Sequence, residues 1–206
     1  GGHSIARERR ALIPLMVAAA AAAGGLKLFV SPWSPPGWMK DTGRMNRGGK
    51  LLPGCREAWA LYYARFIQAL EADGVPVWGL TVQNEPKATQ PWDSCVYTAE
   101  EERDFVKQHL GPALRREGLG GRKLMIWDHN RERLYERARC VFEDPEAAAF
   151  VWGAAFHWYS GDHFEAIEAV HQRWPDKGLV LSECCVGRQP PVDPWAVAER
   201  YGHDIL

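Results

Sequence analysis

The sequence predicts an α/β fold that forms part of a (β/α)8 barrel, and three observations support this prediction. Five short apolar runs are separated by segments with helical periodicity. Alternation of strands and helices gives right-handed crossovers and a parallel sheet, either doubly wound or closed into a barrel. Polar or aromatic residues follow every run, and the C-terminal strand ends of a barrel converge on one face. That convergence favours the barrel.

The five runs are predicted to be parallel strands because they are rich in β-branched, aromatic and leucine residues. They cover 26–30, 77–82, 123–127, 151–156 and 179–181. None is followed by a glycine-rich phosphate loop, which disfavours a nucleotide-binding fold.

The alanine-rich run at 11–23 has two interpretations. It follows Arg7, Arg9 and Arg10, so it resembles a signal peptide. Because alanine is the best helix former and Gly24 and Gly25 mark a helix end, we predict a barrel helix instead. The run is too short to span a membrane, and the localisation stays open between secreted and cytoplasmic.

Four further segments have the periodicity of amphipathic helices. Thr98 and Glu101 have the spacing of a capping box, which opens one of them. The predicted helices cover 59–70 (ending near 73–74), 98–118, 131–141 and 163–174.

Composition excludes some classes of protein. The 25 Lys and Arg residues nearly balance the 26 Asp and Glu residues without a basic patch, which disfavours nucleic-acid binding. The five cysteines show no ligand spacing, so neither a zinc site nor a disulfide framework is indicated. The ten tryptophans suit packing or stacking on sugar rings, and packing is the default. We predict no metal and no cofactor.

Two glutamates differ from the other acidic residues in their position. Glu85 and Glu183 each follow an apolar run directly, where a buried carboxylate is costly unless it has a function. Acidic residues such as Glu100 and Glu165 are predicted to be solvated surface charges instead. Glycosidic cleavage requires two facing carboxyl groups, so the pair is a candidate for that chemistry.

Five motifs resemble glycoside hydrolase family 30, close to the glucosylceramidases, in order and spacing. They are LFVSPWSPPGWMK (28–40), VQNEP (82–86), WDHNR (127–131), HWY (157–159) and LSECCVG (181–187). The resemblance implies a retaining β-glycosidase, with Glu85 as the acid/base and Glu183 as the nucleophile. One departure is Cys184, where family relatives often carry alanine, and it leaves the role of Glu183 intact.

The resemblance also implies a set of substrate-binding residues. Asn84 would hydrogen-bond the sugar 2-hydroxyl, Tyr159 would hold Glu183, and Trp33 would line the subsite of the cleaved sugar. Asp128 and His157 would lie behind the acid/base or at the rim of the site. His157 could equally be a hydrogen-bonded core histidine.

The resemblance assigns the five runs to strands three to seven of the eight in a barrel. We therefore expect residues 1–206 to be one partial catalytic domain, inactive alone because both sheet edges stay open. The expected substrate is a β-glucoside or glycolipid, with no protein partner. The alternatives are relatives' substrates, namely β-1,6-glucan, xylan or fucosides, or a non-catalytic carbohydrate-binding fragment.

Overall fold

A computed structural model describes residues 4–186 and 193–205 and contains a five-stranded parallel sheet. The strands follow the order of the chain, β1-β2-β3-β4-β5. A doubly wound sheet would reverse its strand order at a switch point, whereas this order is that of a barrel wall. The predicted barrel, with five of its strands in the described residues, is confirmed. The strands are β1 (Leu28–Val30), β2 (Val77–Thr81), β3 (Lys123–Asn130), β4 (Gly153–His157) and β5 (Gly178–Glu183).

Helices connect the strands, and all five helical segments predicted from the sequence are present. The α-helices are α1 (Ala6–Arg10), α2 (Leu12–Ala22), α3 (Arg56–Ala72), α4 (Ala99–Phe105), α5 (Gly111–Arg116), α6 (Leu134–Phe142), α7 (Pro145–Ala148), α8 (Phe164–Arg173) and α9 (Pro194–Ile205). Short 3-10 turns lie at Gly37–Met39, Pro53–Cys55 and Arg131–Arg133, and a π-helical turn lies at Val106–Leu110.

Local chemistry explains where several helices begin and end. The Gly25 amide donates to the carbonyl of Ala20, and Gly24 and Gly25 take the positive φ that ends α2. The Thr98 side chain accepts from the Glu101 amide and Glu101 caps the Thr98 amide in return, so the predicted capping box is present. Pro112 has no N–H to donate, which accounts for the π turn that precedes α5.

The core lies between the sheet and the outer helices. Ile67 of α3, Leu80 of β2 and Ile126 of β3 are all fully buried. The apolar face of α3 recurs at helical spacing, as the sequence predicts. Within the described parts of the chain, we find no helix that is both long and apolar enough to cross a bilayer.

The strand bounds differ from the prediction at the C-terminal ends. Strand β3 continues to Asn130, three residues beyond the predicted end, through a register shift between Trp127 and His129. His157 and Glu183 are the last residues of their strands, whereas the predicted runs end one residue before His157 and two residues before Glu183. These ends carry the polar groups of the candidate site.

Candidate active site

Glu85, His157 and Glu183 meet at the C-terminal ends of the strands. One side-chain ligand atom from each residue lies within 4.8 Å of the other two. His157 lies between the glutamates, with Nδ1 3.4 Å from Glu85 Oε1 and Nε2 4.0 Å from Glu183 Oε2. Residues 98 positions apart in the chain (183 − 85) therefore meet at one place.

Glu85 is held by its backbone as well as by its side chain. Its amide donates to the carbonyl of Asp128 at 2.9 Å, and its carbonyl accepts from the Ala88 amide at 2.8 Å. Its φ of 45° is in the left-handed region, which a residue with a side chain rarely adopts. Gln90 Nε2 donates to Glu85 Oε2 at 3.3 Å, and the side chain is only 13% exposed.

Asp128 lies beneath the two glutamates and is almost fully buried. Oδ1 faces His157 Nε2 at 3.0 Å and accepts from the Ser182 hydroxyl at 2.7 Å. Oδ2 accepts from the hydroxyls of Ser31 and Thr81 at 2.6 and 2.8 Å. Four donors from four different strands or strand ends thus fix one carboxylate.

These contacts set the charge of His157. Burial alone would lower the pKa of His157, but the hydrogen bond to Asp128 and the close contact with Glu85, together with nearby carboxylate charge, raise it to about 9. The contact with His157 in turn lowers the pKa of Glu85, although burial opposes that shift. Burial acts to raise the pKa of Asp128, yet its contacts with His157 and the hydroxyls lower it. His157 is therefore a cation at neutral pH.

Glu183 is held from the solvent side by Tyr159. The Tyr159 hydroxyl donates to Glu183 Oε1 at 2.9 Å, and it accepts from the Cys185 amide at 3.2 Å. The Cys185 thiol lies 3.0 Å from the same hydroxyl, and the Tyr159 amide donates to Asn130 Oδ1 at 2.9 Å. Burial and contacts with Cys185 and Glu183 raise the pKa of Tyr159, so the phenol stays protonated.

The other residues predicted for the site follow β1 and β2, or belong to β3 and β4, at the C-terminal ends of the strands. Trp33 is 42% exposed and lines an open groove of about 420 Å³ with Met45 and Trp92. Asn84 is buried, and its amide donates to the carbonyl of Pro32 at 2.9 Å. Asp128 and His157 lie behind the glutamates and not at the rim.

Sequence reasoning assigned no role to several groups that shape the site. Ser31, Thr81, Ser182 and Gln90 each bond a site carboxylate, but serine, threonine and glutamine at strand ends give no distinctive pattern. The three residues at the centre are also the set of described His, Cys, Asp and Glu side chains close enough together to hold a metal ion. The same donors suit proton transfer.

The chain is similar to one protein family and to several known proteins. The description "Glycosyl hydrolase family 30 TIM-barrel domain" matches residues 3–206. Lysosomal acid glucosylceramidase of Mus musculus is 35% identical, over 88% of this chain and 38% of its own length. Endo-1,6-beta-D-glucanase of Neurospora crassa is 30% identical, over 86% of this chain and 37% of its own length.

The crystal structure of SrfJ from Salmonella typhimurium has a TM-score of 0.94 and 40% identity, and the alignment covers 98% of this chain and 46% of that one. The chain therefore spans about two fifths of the length of the curated relatives that it matches.

Proposed function

The chain belongs to glycosyl hydrolase family 30, and from that membership we propose that the protein is a retaining β-glycosidase. Glu183 is the proposed nucleophile and Glu85 the proposed acid/base. The observation that carries this proposal is the distance of at most 4.8 Å between carboxylate oxygens of the two residues. Retaining enzymes have carboxyl groups about 5 to 5.5 Å apart, whereas inverting enzymes need about 6.5 to 9.5 Å for a water molecule.

The contacts of each glutamate support a division of roles. Glu183 Oε1 is occupied by Tyr159, which leaves Oε2 to form a bond with the anomeric carbon. As that bond forms, the bond to the leaving oxygen breaks and Glu85 gives its proton to that oxygen. In the second step Glu85 takes a proton from water, the water oxygen attacks the anomeric carbon, and Glu183 is released.

The lowered pKa of Glu85 suits the second step, in which it acts as a base. The first step needs its protonated form, and a lowered pKa means that this form is lost at lower pH. We therefore expect turnover of substrates with poor leaving groups to fall as the pH rises from acid toward neutral. His157, with a pKa of about 9, stays charged over that range.

We propose that the sugar lies between the glutamates and the open groove. Asn84 precedes Glu85 directly and is proposed to hydrogen-bond the sugar 2-hydroxyl. Trp33, exposed on the wall of the groove, offers an indole face to the sugar ring. Asp128 and His157, both buried, are proposed to act on the glutamates and not on the sugar.

The proposed substrate is a β-glucoside with a lipid aglycone, since the mouse relative is a glucosylceramidase. β-1,6-Glucan is the second candidate, because the Neurospora relative is an endo-1,6-beta-D-glucanase. Initial rates on glucosylceramide, β-1,6-glucan, and aryl glucoside, xyloside and fucoside would separate these possibilities.

The stereochemical test uses proton NMR of the first product released from an aryl β-glucoside. Retention gives β-glucose first, and initial release of α-glucose would exclude Glu183 as a nucleophile. A protein that binds these sugars and cleaves none of them would instead support a carbohydrate-binding role.

A further inference from the structure

Strand β3 carries an unusual backbone bulge under the site. Trp127 and Asp128 have φ values of 74° and 50°, and the register with β4 shifts between Trp127 and His129. Two successive residues with side chains in the left-handed region are strained, and such strain persists only where the surroundings over-determine it. Bulges of this kind re-aim side chains next to active sites.

The bulge directs both the backbone carbonyl and the carboxylate of Asp128 toward Glu85 and its neighbour His157. Its carbonyl accepts from the Glu85 amide at 2.9 Å. Its carboxylate faces His157 Nε2 at 3.0 Å, and His157 Nδ1 lies 3.4 Å from Glu85 Oε1. The backbone and the carboxylate of Glu85 are therefore both placed by the conformation of one residue in β3.

A side chain from the outer layer holds this bulge. Glu102 of α4 is fully buried, and its Oε1 accepts from the Trp127 amide at 2.8 Å. Arg137 of α6 lies 3.6 Å from Glu102 Oε2 and donates to the carbonyl of Tyr97 at 3.0 Å. Its guanidinium also lies 4.6 Å from the centre of the Trp127 ring. The amide and the ring of Trp127 are thus fixed from outside the barrel.

We infer that Glu102 is a positioning residue for Glu85, and that it acts by accepting the Trp127 amide and so holding the bulge that places Asp128. This inference rests on the proposed function, in which Glu85 is the proton donor. The side chain of Glu102 contacts the Trp127 amide and Arg137, so its effect on Glu85 passes through the backbone of β3. Burial raises the pKa of Glu102, and the charge of Arg137 opposes that shift.

The test must distinguish two effects of changing Glu102: loss of the oxygen that accepts from the Trp127 amide, and loss of the ion pair with Arg137. Both charges are removed together, because removal of one alone leaves the other buried without a partner. Two double variants of the full-length protein do this: Glu102→Leu with Arg137→Leu, and Glu102→Gln with Arg137→Leu. Both lack the ion pair and the cation over the Trp127 ring. They differ in that glutamine keeps an oxygen for the Trp127 amide.

The readout is kcat/KM on an alkyl β-glucoside, which needs a proton from Glu85, and on a dinitrophenyl β-glucoside, which does not. We expect the leucine variant to lose about tenfold or more on the alkyl substrate and about threefold or less on the dinitrophenyl substrate. The glutamine variant should keep the wild-type ratio between the substrates. Equal losses on both substrates, or the same ratio in both variants, would overturn the inference.

Hydrogen exchange of the segment around Trp127 keeps this test distinct from that of the proposed function. Exchange should be faster in the leucine variant than in the glutamine variant, whatever the protein hydrolyses. Equal exchange rates would refute the role of Glu102 even if both variants were active. If the wild-type protein hydrolyses none of these substrates but the expected difference in exchange is seen, the proposed function is refuted. The role of Glu102 in holding the bulge at Trp127 would still stand.

Discussion

The two candidate catalytic residues lie in different surroundings. Glu85 follows β2, an interior strand between β1 and β3, and its side chain is 13% exposed. Glu183 ends β5, the last strand of the described sheet, in which every residue is half-buried, and its side chain is 32% exposed. Glu85 has anchors on its amide, its carbonyl and its carboxylate, whereas Tyr159 holds the carboxylate of Glu183.

The difference shows how the two halves of one site are built. The acid/base half is fixed by backbone hydrogen bonds and by a buried aspartate with four partners, so its geometry follows from the packing of the sheet. In the nucleophile half, the carboxylate accepts a hydrogen bond from one phenol, which is itself exposed and held by Asn130 and Cys185. Changes in the two halves should therefore have different kinetic consequences.

The largest effect is expected from the glutamates themselves. Glu183→Ala removes the attacking group and should abolish turnover of all β-glucosides. Glu85→Ala should lose about 10²- to 10⁴-fold in kcat/KM on an alkyl glucoside, the usual contribution of a general acid. It should lose little on a dinitrophenyl glucoside, whose leaving group departs without a proton.

Azide sharpens this assignment because it fills the space left by either carboxylate. Glu183→Ala should give the α-glucosyl azide and Glu85→Ala the β-glucosyl azide, and the reverse pairing would exchange the two roles. Glu165→Ala is the matched control, since its side chain is 79% exposed on α8. That variant should behave as wild type.

The pH dependence of stability tests the buried half. The pKa of His157 rises from 6.5 in the unfolded chain to about 9 in the fold. The stabilisation is therefore complete below pH 6.5 and is lost as the pH rises toward 9. The free energy of unfolding should fall over that window by up to about 3 kcal/mol, since one pKa unit corresponds to about 1.4 kcal/mol.

Urea unfolding midpoints between pH 6 and pH 10 measure this loss. His157→Gln removes the titrating group and should flatten the profile. An equal slope in the variant would assign the dependence to another group and would contradict the charged state of His157.

The order of the elements could be predicted from the sequence because each run and helix has its own periodicity. The capping box at Thr98 and the stop at Gly24 and Gly25 are local signals, and the structure has both. The extent of β3 could not be predicted, because the bulge at Trp127 depends on Glu102 from another element. Local patterns carry no information about such a contact.

The same limit applies to the site. Glu85 and Glu183 could be proposed because each follows an apolar run and lies in a motif that resembles family 30, and their proximity follows from parallel strands. Glu102 was not identified, although it lies three and four positions before Phe105 and Val106, on the buried face of α4. This helical spacing from two apolar residues was the one sequence feature that indicated a buried position for Glu102. The partner Arg137 is 35 positions further along the chain (137 − 102), beyond the reach of any local pattern.

A smaller effect is expected from Tyr159→Phe, which removes the hydrogen bond to Glu183. A hydrogen bond to a charged group contributes about 1.5 to 3 kcal/mol, so kcat/KM should fall about tenfold or more. The loss should be equal for alkyl and dinitrophenyl glucosides, because attack by Glu183 is needed for both. Tyr135→Phe on α6 is the control, and a loss confined to alkyl glucosides would place Tyr159 in the acid/base half.

The smallest effect is expected from Cys185→Ala. The Tyr159 proton is committed to Glu183, so the thiol serves as a weak donor to the phenol oxygen 3.0 Å away. The Cys185 amide donates to the same oxygen and remains in the variant. A neutral hydrogen bond contributes about 0.5 kcal/mol at the low end of its range, where a weak thiol donor belongs. We therefore expect a loss of about threefold or less in kcat/KM. Cys140→Ala on α6 controls for removal of a thiol elsewhere. A tenfold loss in Cys185→Ala, with no loss in Cys140→Ala, would show that the thiol holds Tyr159 in place. The hydrogen bond from the Cys185 amide would then be insufficient to position Tyr159 against Glu183.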